Sequence, residues 1–142
     1  MEDLKELFTK MVKTFEAKDL EGALKFFAED AVFIDPHYPQ SEMRGKAAIR
    51  QGMAWAFQTL AQPGFTPLHF WIGGDSGAAE VDTHHTLKGG MRINFRQVFV
   101  FETHDGRITR LQSFVPYGPP GIGGFVTRAT RLAWKLQGKM KG

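Results

Sequence analysis

Apolar residues in the first sixty positions fall at helical spacing, and those of the following fifty alternate, so the chain divides into a helical part and a sheet part. Leu4, Leu7, Phe8, Met11, Val12 and Phe15 recur at intervals that predict an amphipathic helix over residues 3–17. Asp19 is placed to cap a second, short helix with Leu20, Ala23, Leu24 and Phe27 inward. Ala31-Val32-Phe33-Ile34 reads as a short strand stopped by Asp35-Pro36, and His37 to Arg44 as an irregular loop. Helical spacing returns from Gly45 to Leu60, with Ile49, Met53, Phe57 and Leu60 on one face, until Gln62-Pro63-Gly64 ends it.

From Phe65 the period is two. Four strands are expected, at Phe65–Ile72, Ala78–Lys88, Met91–Phe101 and Arg107–Val115. The connections Gly73-Gly74-Asp75-Ser76-Gly77, Gly89-Gly90 and Thr103-His104-Asp105-Gly106 are hairpin signals, so the strands form an antiparallel meander. Helices first and strands afterwards is an α+β arrangement. Pro116 to Gly121 is too rich in Pro and Gly for regular structure. Phe125, Ala129, Leu132, Ala133 and Leu136 then mark a last amphipathic helix with a basic opposite face. The expected organisation is one domain over residues 1–117, followed by a linker and helix over 118–142.

Composition adjusts this picture in three ways. A chain of 142 residues with 13 Phe and 3 Trp has enough apolar bulk for one packed core. With no cysteine it has no disulfide, thiolate nucleophile or cysteine-ligated metal, which suits a cytoplasmic protein. The formal charge of +3 hides an asymmetry: Arg128, Arg131, Lys135, Lys139 and Lys141 put +5 after Tyr117 with no acidic residue, leaving −2 on the rest. The high pI therefore belongs to a tail, and no nucleic-acid partner is expected from it. The last helix is expected to pack on its own domain or on a dimer mate rather than on a membrane.

Alternation sorts the candidate chemistry. Val81, Thr83, His85 and Leu87 share one face, expected to point to the core, and Glu80, Asp82, His84 and Thr86 the other. Met91, Ile93, Phe95, Gln97, Phe99 and Phe101 also share a face, which makes Gln97 a polar group among apolar ones. It must find a partner, either His85 in the core or a ligand. His69 alternates with Phe65, Pro67 and Trp71 and is expected inward; His37 and Tyr38 fall in a loop at the rim, and His104 in a turn. No pair of histidines has metal-ligand spacing, and His84 and His85 point oppositely, so no metal site is expected. Asp35 closes an apolar strand. An Asp-Pro turn accepting backbone N–H groups accounts for it as well as a chemical role does.

The order helix, helix, short strand, helix, four long strands resembles the nuclear transport factor two-like superfamily. Phe27-Ala28-Glu29-Asp30-Ala31-Val32-Phe33-Ile34-Asp35-Pro36 followed by Arg44-Gly45-Lys46-Ala47-Ala48-Ile49-Arg50 resembles its ketosteroid isomerase and SnoaL-like members, as does the turn Asp105-Gly106-Arg107-Ile108. The likeness covers about residues 4 to 115. It implies a cystatin-like conical barrel in which a curved antiparallel sheet packs on the N-terminal helices around an apolar pocket. It also implies that Asp35 is the general base of the isomerases. Met11 stands where that family places a tyrosine, and Gln97 near its protonated acid; methionine donates no hydrogen bond, whereas the glutamine amide does.

The expected function is cofactor-independent acid/base chemistry (isomerase, cyclase or dehydratase) on a small hydrophobic oxygenated molecule. In that reading Asp35 is the acid/base, Gln97 and His85 orient a carbonyl or hydroxyl, and Met11, Phe15, Trp55, His69, Phe95 and Phe99 line the ligand. The alternatives are a non-catalytic binder of hydrophobic ligands and a dimeric assembly domain. A homodimer is expected through an outer sheet face carrying His84, Arg92, Asn94, Arg96 and Val98.

Overall fold

The computed structural model describes residues 3–116 and 121–138. Helix α1 (Leu4–Glu16) begins where the Asp3 carboxylate accepts the Lys5 N–H, and it buries Leu7, Phe8, Met11 and Val12. Asp19 caps α2 (Leu20–Leu24) in the same way, accepting from the Gly22 N–H. That helix stops short of Phe27, which opens strand β1 (Phe27–Ile34) instead of closing the helix. Phe27 pairs with Ile108 and Val32 with Arg110, so the residues between them bulge and leave Glu29 and Asp30 exposed. Helical spacing and a bulged strand both bury Phe27, which is why the pattern alone misplaced it.

Strand β2 (Glu42–Arg44) lies inside the span expected to be loop, and it pairs antiparallel with β1. Gly45, at φ 87°, starts α3 (Lys46–Thr59), which buries Ile49, Met53 and Ala56. The helix ends one residue before β3 (Leu60–Gln62), so Leu60 caps the helix and opens a strand at once. Four long strands follow: β4 (Phe65–Gly73), β5 (Ser76–Leu87), β6 (Arg92–His104) and β7 (Arg107–Phe114). The β6–β7 hairpin turns on Asp105 and Gly106, at φ 51° and 76°, the pair of positive angles a two-residue turn demands.

The seven strands form one sheet in the order β2-β1-β7-β6-β5-β3, with β4 also on β5. The meander β4 to β7 is antiparallel as expected; β1 joins it parallel to β7, which alternation could not reveal. The sheet curls over α1. Phe8 is the centre of the core, stacked on Phe101 at 5.3 Å and edge-on to Phe70 at 5.8 Å.

Two residues that the sequence reading turns inward on this strand, His69 and Trp71, point outward. The β4–β5 register shifts between Pro67 and His69, since Pro67 donates nothing to the ladder. Beyond that bulge Phe70 packs on the core, while His69 is exposed and sits edge-on to Trp71 at 4.4 Å.

Helix α4 (Gly121–Leu136) is where periodicity put it. Its side chains from Phe125 onward are exposed except Thr127, so the domain does not cover the apolar stripe, contrary to the expected packing on its own domain. Residues 117–120, and with them most of the expected linker, lie outside the described residues.

Candidate active site

Between α1, α3 and the concave face of the sheet lies a cavity of ≈280 Å³. That is near the lower end of the usual range of ligand pockets, about 300–1,000 Å³. Its wall is apolar except for Asp35, His37, Tyr38, Thr59, His85 and Gln97. Met11 and Phe15 reach it from α1, Trp55 from α3, and Phe95 and Phe99 from β6. His69 does not line it, because the β4 bulge carries it to the outside.

Asp35 arrives by alternation. Ala31 and Phe33 face inward on β1, and Asp35, the next residue of that parity, is only 5 % exposed. The chain then turns: the Asp35 N–H donates to the Ser41 carbonyl, and the Tyr38 N–H to the Asp35 carbonyl. Within this turn Oδ1 of Asp35 accepts the His37 backbone N–H at 2.9 Å and lies 2.7 Å from His37 Nδ1. The Asp-Pro turn and the candidate chemical role are therefore one arrangement. Oδ2 has no hydrogen bond to any described residue. A carboxylate whose first oxygen is anchored twice keeps its second oxygen in a fixed direction.

The same turn brings in Tyr38, which packs on Phe33 at 5.2 Å and on Trp55 at 5.7 Å. Burial, reinforced by the Asp35 carboxylate, pushes its phenol well above the ordinary value. Tyr38 is thus neutral and a hydrogen-bond donor. Pattern reading left His37 and Tyr38 at the rim; the detectable signal was the Asp-Pro-His-Tyr turn, whose Asx geometry folds the following residues back on the carboxylate.

His85 sits on the cavity wall from β5, edge-on to Phe65 at 4.9 Å. Burial, reinforced by His37 and His84, pushes its pKa down to about 4. The ring is neutral at pH 7, and Nδ1 accepts the Gly64 N–H at 3.1 Å, so the ring proton resides on Nε2. Gly64 is required for this contact. A Cβ there would meet the His84 carbonyl at 2.4 Å.

Gln97 does not bond His85. It is 2 % exposed, donates through Nε2 to Thr83 Oγ1 at 2.7 Å, and accepts from Ser113 Oγ at 2.5 Å. Three strands share this network, β5, β6 and β7. It takes up the amide oxygen and one N–H of Gln97 and leaves one N–H for another acceptor. Among the described residues no group of three His, Cys, Asp or Glu is placed to hold a metal ion.

A curled sheet over helices, closed on an apolar cavity with a carboxylate at the end of its first strand, defines an α+β barrel of the NTF2-like type. The SnoaL-like domain model matches residues 8–111, and the chain belongs to that family. It resembles an NTF2-like protein of unknown function from Burkholderia pseudomallei, with a TM-score of 0.72 and 18 % identity over 81 % of this chain and 92 % of that one. It also resembles a protein of ketosteroid isomerase-like fold from Catenulispora acidiphila, crystallised with trimethylamine. There the TM-score is 0.71 at 18 % identity, covering 80 % of this chain and 87 % of that one. A third likeness is to a Mycobacterium tuberculosis protein in complex with estradiol-17beta-hemisuccinate: TM-score 0.68, 21 % identity, 76 % and 89 % covered. No curated protein sequence matches the chain. At these identities the neighbours establish the fold, and the reaction has to be argued from this cavity.

Proposed function

We propose that the cavity performs acid/base chemistry on a small apolar molecule bearing a carbonyl or hydroxyl group. The observation that carries the proposal is the buried Asp35 carboxylate, 2.7 Å from Nδ1 of the half-buried His37, on the wall of a mostly apolar pocket. Asp35 takes a proton from a carbon next to the carbonyl through Oδ2, while His37 holds Oδ1. Negative charge then develops on the carbonyl oxygen, and neutral donors stabilise it without being titrated by it. Tyr38 and the Nε2–H of His85 are such donors, and the remaining Gln97 N–H is a third. Tyr38 thereby supplies, from the turn after β1, the phenol that Met11 does not supply from α1. Trp55, Phe15, Phe95 and Phe99 exclude water and hold the apolar body of the substrate.

Two structural neighbours are in complex with small molecules, which supports a small-molecule ligand for this chain. The test is proton exchange, which needs no knowledge of the net reaction. Small cyclic ketones incubated with the protein in deuterated water should lose α-protons faster than in buffer, as read by NMR, and Asp35→Asn should remove the acceleration. Ligands that raise the melting temperature with no exchange would favour the second reading, a non-catalytic binder, which the dominance of apolar wall residues supports.

A further inference from the structure

The last helix poses a problem of its own. At about 100° per residue, Leu132, Phe125, Leu136, Ala129, Ala133 and Val126 fall within roughly 120° of the circumference of α4. Phe125 is 72 % exposed, Leu132 59 % and Leu136 81 %, so the domain leaves most of this stripe open. Arg128, Lys135 and Arg131 form a basic row directly beside it, on the Leu132 side. Lys139 and Lys141 follow in the sequence, and no acidic residue occurs from 118 to 142.

Charge decides what covers such a stripe. A second copy of the helix packed on the same face would bring two basic rows together, with no carboxylate on either helix to relieve them. A nucleic acid would satisfy the basic row and leave the apolar stripe in water. A surface of anionic phospholipid satisfies both, with the stripe at the acyl boundary and the cations among the headgroups. The helix, of 16 residues, is not of spanning length, and none of the described helices is apolar enough to cross.

We propose that α4 is an interfacial helix that docks the protein on anionic membrane surfaces. The apolar stripe and the basic row act together, so neither suffices alone. This inference is independent of the chemistry in the cavity.

The experiment is sedimentation of the full chain with vesicles of phosphatidylcholine containing one quarter phosphatidylglycerol, against pure phosphatidylcholine. Binding is expected to the anionic vesicles at about 0.05 M salt and to be lost at about 0.5 M. Each basic side chain near such a surface is worth about five-fold in partitioning, so Arg128→Gln, Arg131→Gln and Lys135→Gln together should weaken it about 100-fold. Phe125→Ser with Leu132→Ser should weaken it as well, at unchanged melting temperature. Absence of binding at low salt, equal binding to both vesicles, or binding that survives the triple neutralisation each overturns the proposal. It is also overturned if the protein ignores vesicles and the Phe125/Leu132 variant dissociates an oligomer, since the stripe is then covered by a second copy.

Discussion

Asp35 accepts two hydrogen bonds from a single residue, His37, whose backbone N–H and imidazole both converge on one carboxylate oxygen. The dipeptide spacing matters. An i, i+2 imidazole reaches the carboxylate only because Pro36 and the turn that follows reverse the chain between β1 and β2. The carboxylate is thus oriented by its own turn, without help from another element.

If Asp35 is the proton acceptor, Asp35→Asn should reduce carbon–proton exchange, or turnover of a true substrate, by about 10²–10⁴-fold. The asparagine keeps an oxygen for the His37 donors, so the melting temperature should hardly move. A large fall in melting temperature with a small loss of activity would assign Asp35 to the turn alone. His37→Phe removes the imidazole from Oδ1 but keeps the backbone N–H and the base, and it should cost less than Asp35→Asn.

Tyr38→Phe removes one donor and little volume. Loss of a hydrogen bond to developing oxyanion charge costs up to about 10²–10³-fold in kcat. The phenol stays protonated far above neutral pH, so the variant's rate should parallel wild type from pH 6 to about 9. A wild-type kcat retained in Tyr38→Phe would take the phenol out of the chemistry.

The strands β5 to β7 were legible because one side of each is buried, so Val81, Thr83, Gln97, Phe99 and Phe101 alternate cleanly with polar residues. Phe27 and His69 were not, for a common reason: a bulge changes the parity of a strand, and nothing in a run of residue types marks where it falls. Asp35 and most of the apolar lining were legible from strand parity and family likeness. The roles of His37, Tyr38 and Ser113 were hidden, because a turn's side-chain geometry and a cross-strand partner depend on register rather than composition. Likewise, α4 could be read as amphipathic, but what its stripe meets is a tertiary fact.

His85 predicts a pH dependence of stability. Its pKa is about 4 in the fold and about 6.5 in the unfolded chain, so between those values the unfolded state binds the extra proton. Stability from this residue is complete above about pH 6.5 and is lost as pH falls towards 4. His85→Gln should flatten the melting-temperature profile in that window, relative to wild type. An unchanged slope would mean that His85 is not buried neutral.

The network of Gln97 should matter to stability more than to binding. Gln97→Leu removes the acceptor of the Ser113 hydroxyl and the amide donor to Thr83 Oγ1, both hydroxyls being buried. Each buried group left unpaired costs about 1–3 kcal/mol, so a loss of about 2–6 kcal/mol is expected in denaturant unfolding. A double replacement with Ser113→Ala should recover part of it, because one stranded hydroxyl is then gone. Additive losses in the double variant would argue against a shared network.

The outer face of the sheet gives the last prediction. Val98 lies opposite Phe114 on β7 and opposite Glu80 on β5, and Val100 continues the same row. Trp71 and Phe114 are exposed, and His84, Asn94 and Arg96 border them on the outward parity of β5 and β6. An apolar centre with a polar rim is the composition of a protein–protein interface, and a stable one buries about 1,200–2,000 Å² in total. We therefore expect a homodimer that buries this face, with Val98 and Phe114 at its centre. Sedimentation equilibrium should return twice the chain mass at tens of micromolar, and Phe114→Glu should return the monomer with the fold intact. A wild-type monomer at that concentration would remove the dimer. A dimer unmoved by Phe114→Glu and by Val98→Glu would place the interface elsewhere on the surface.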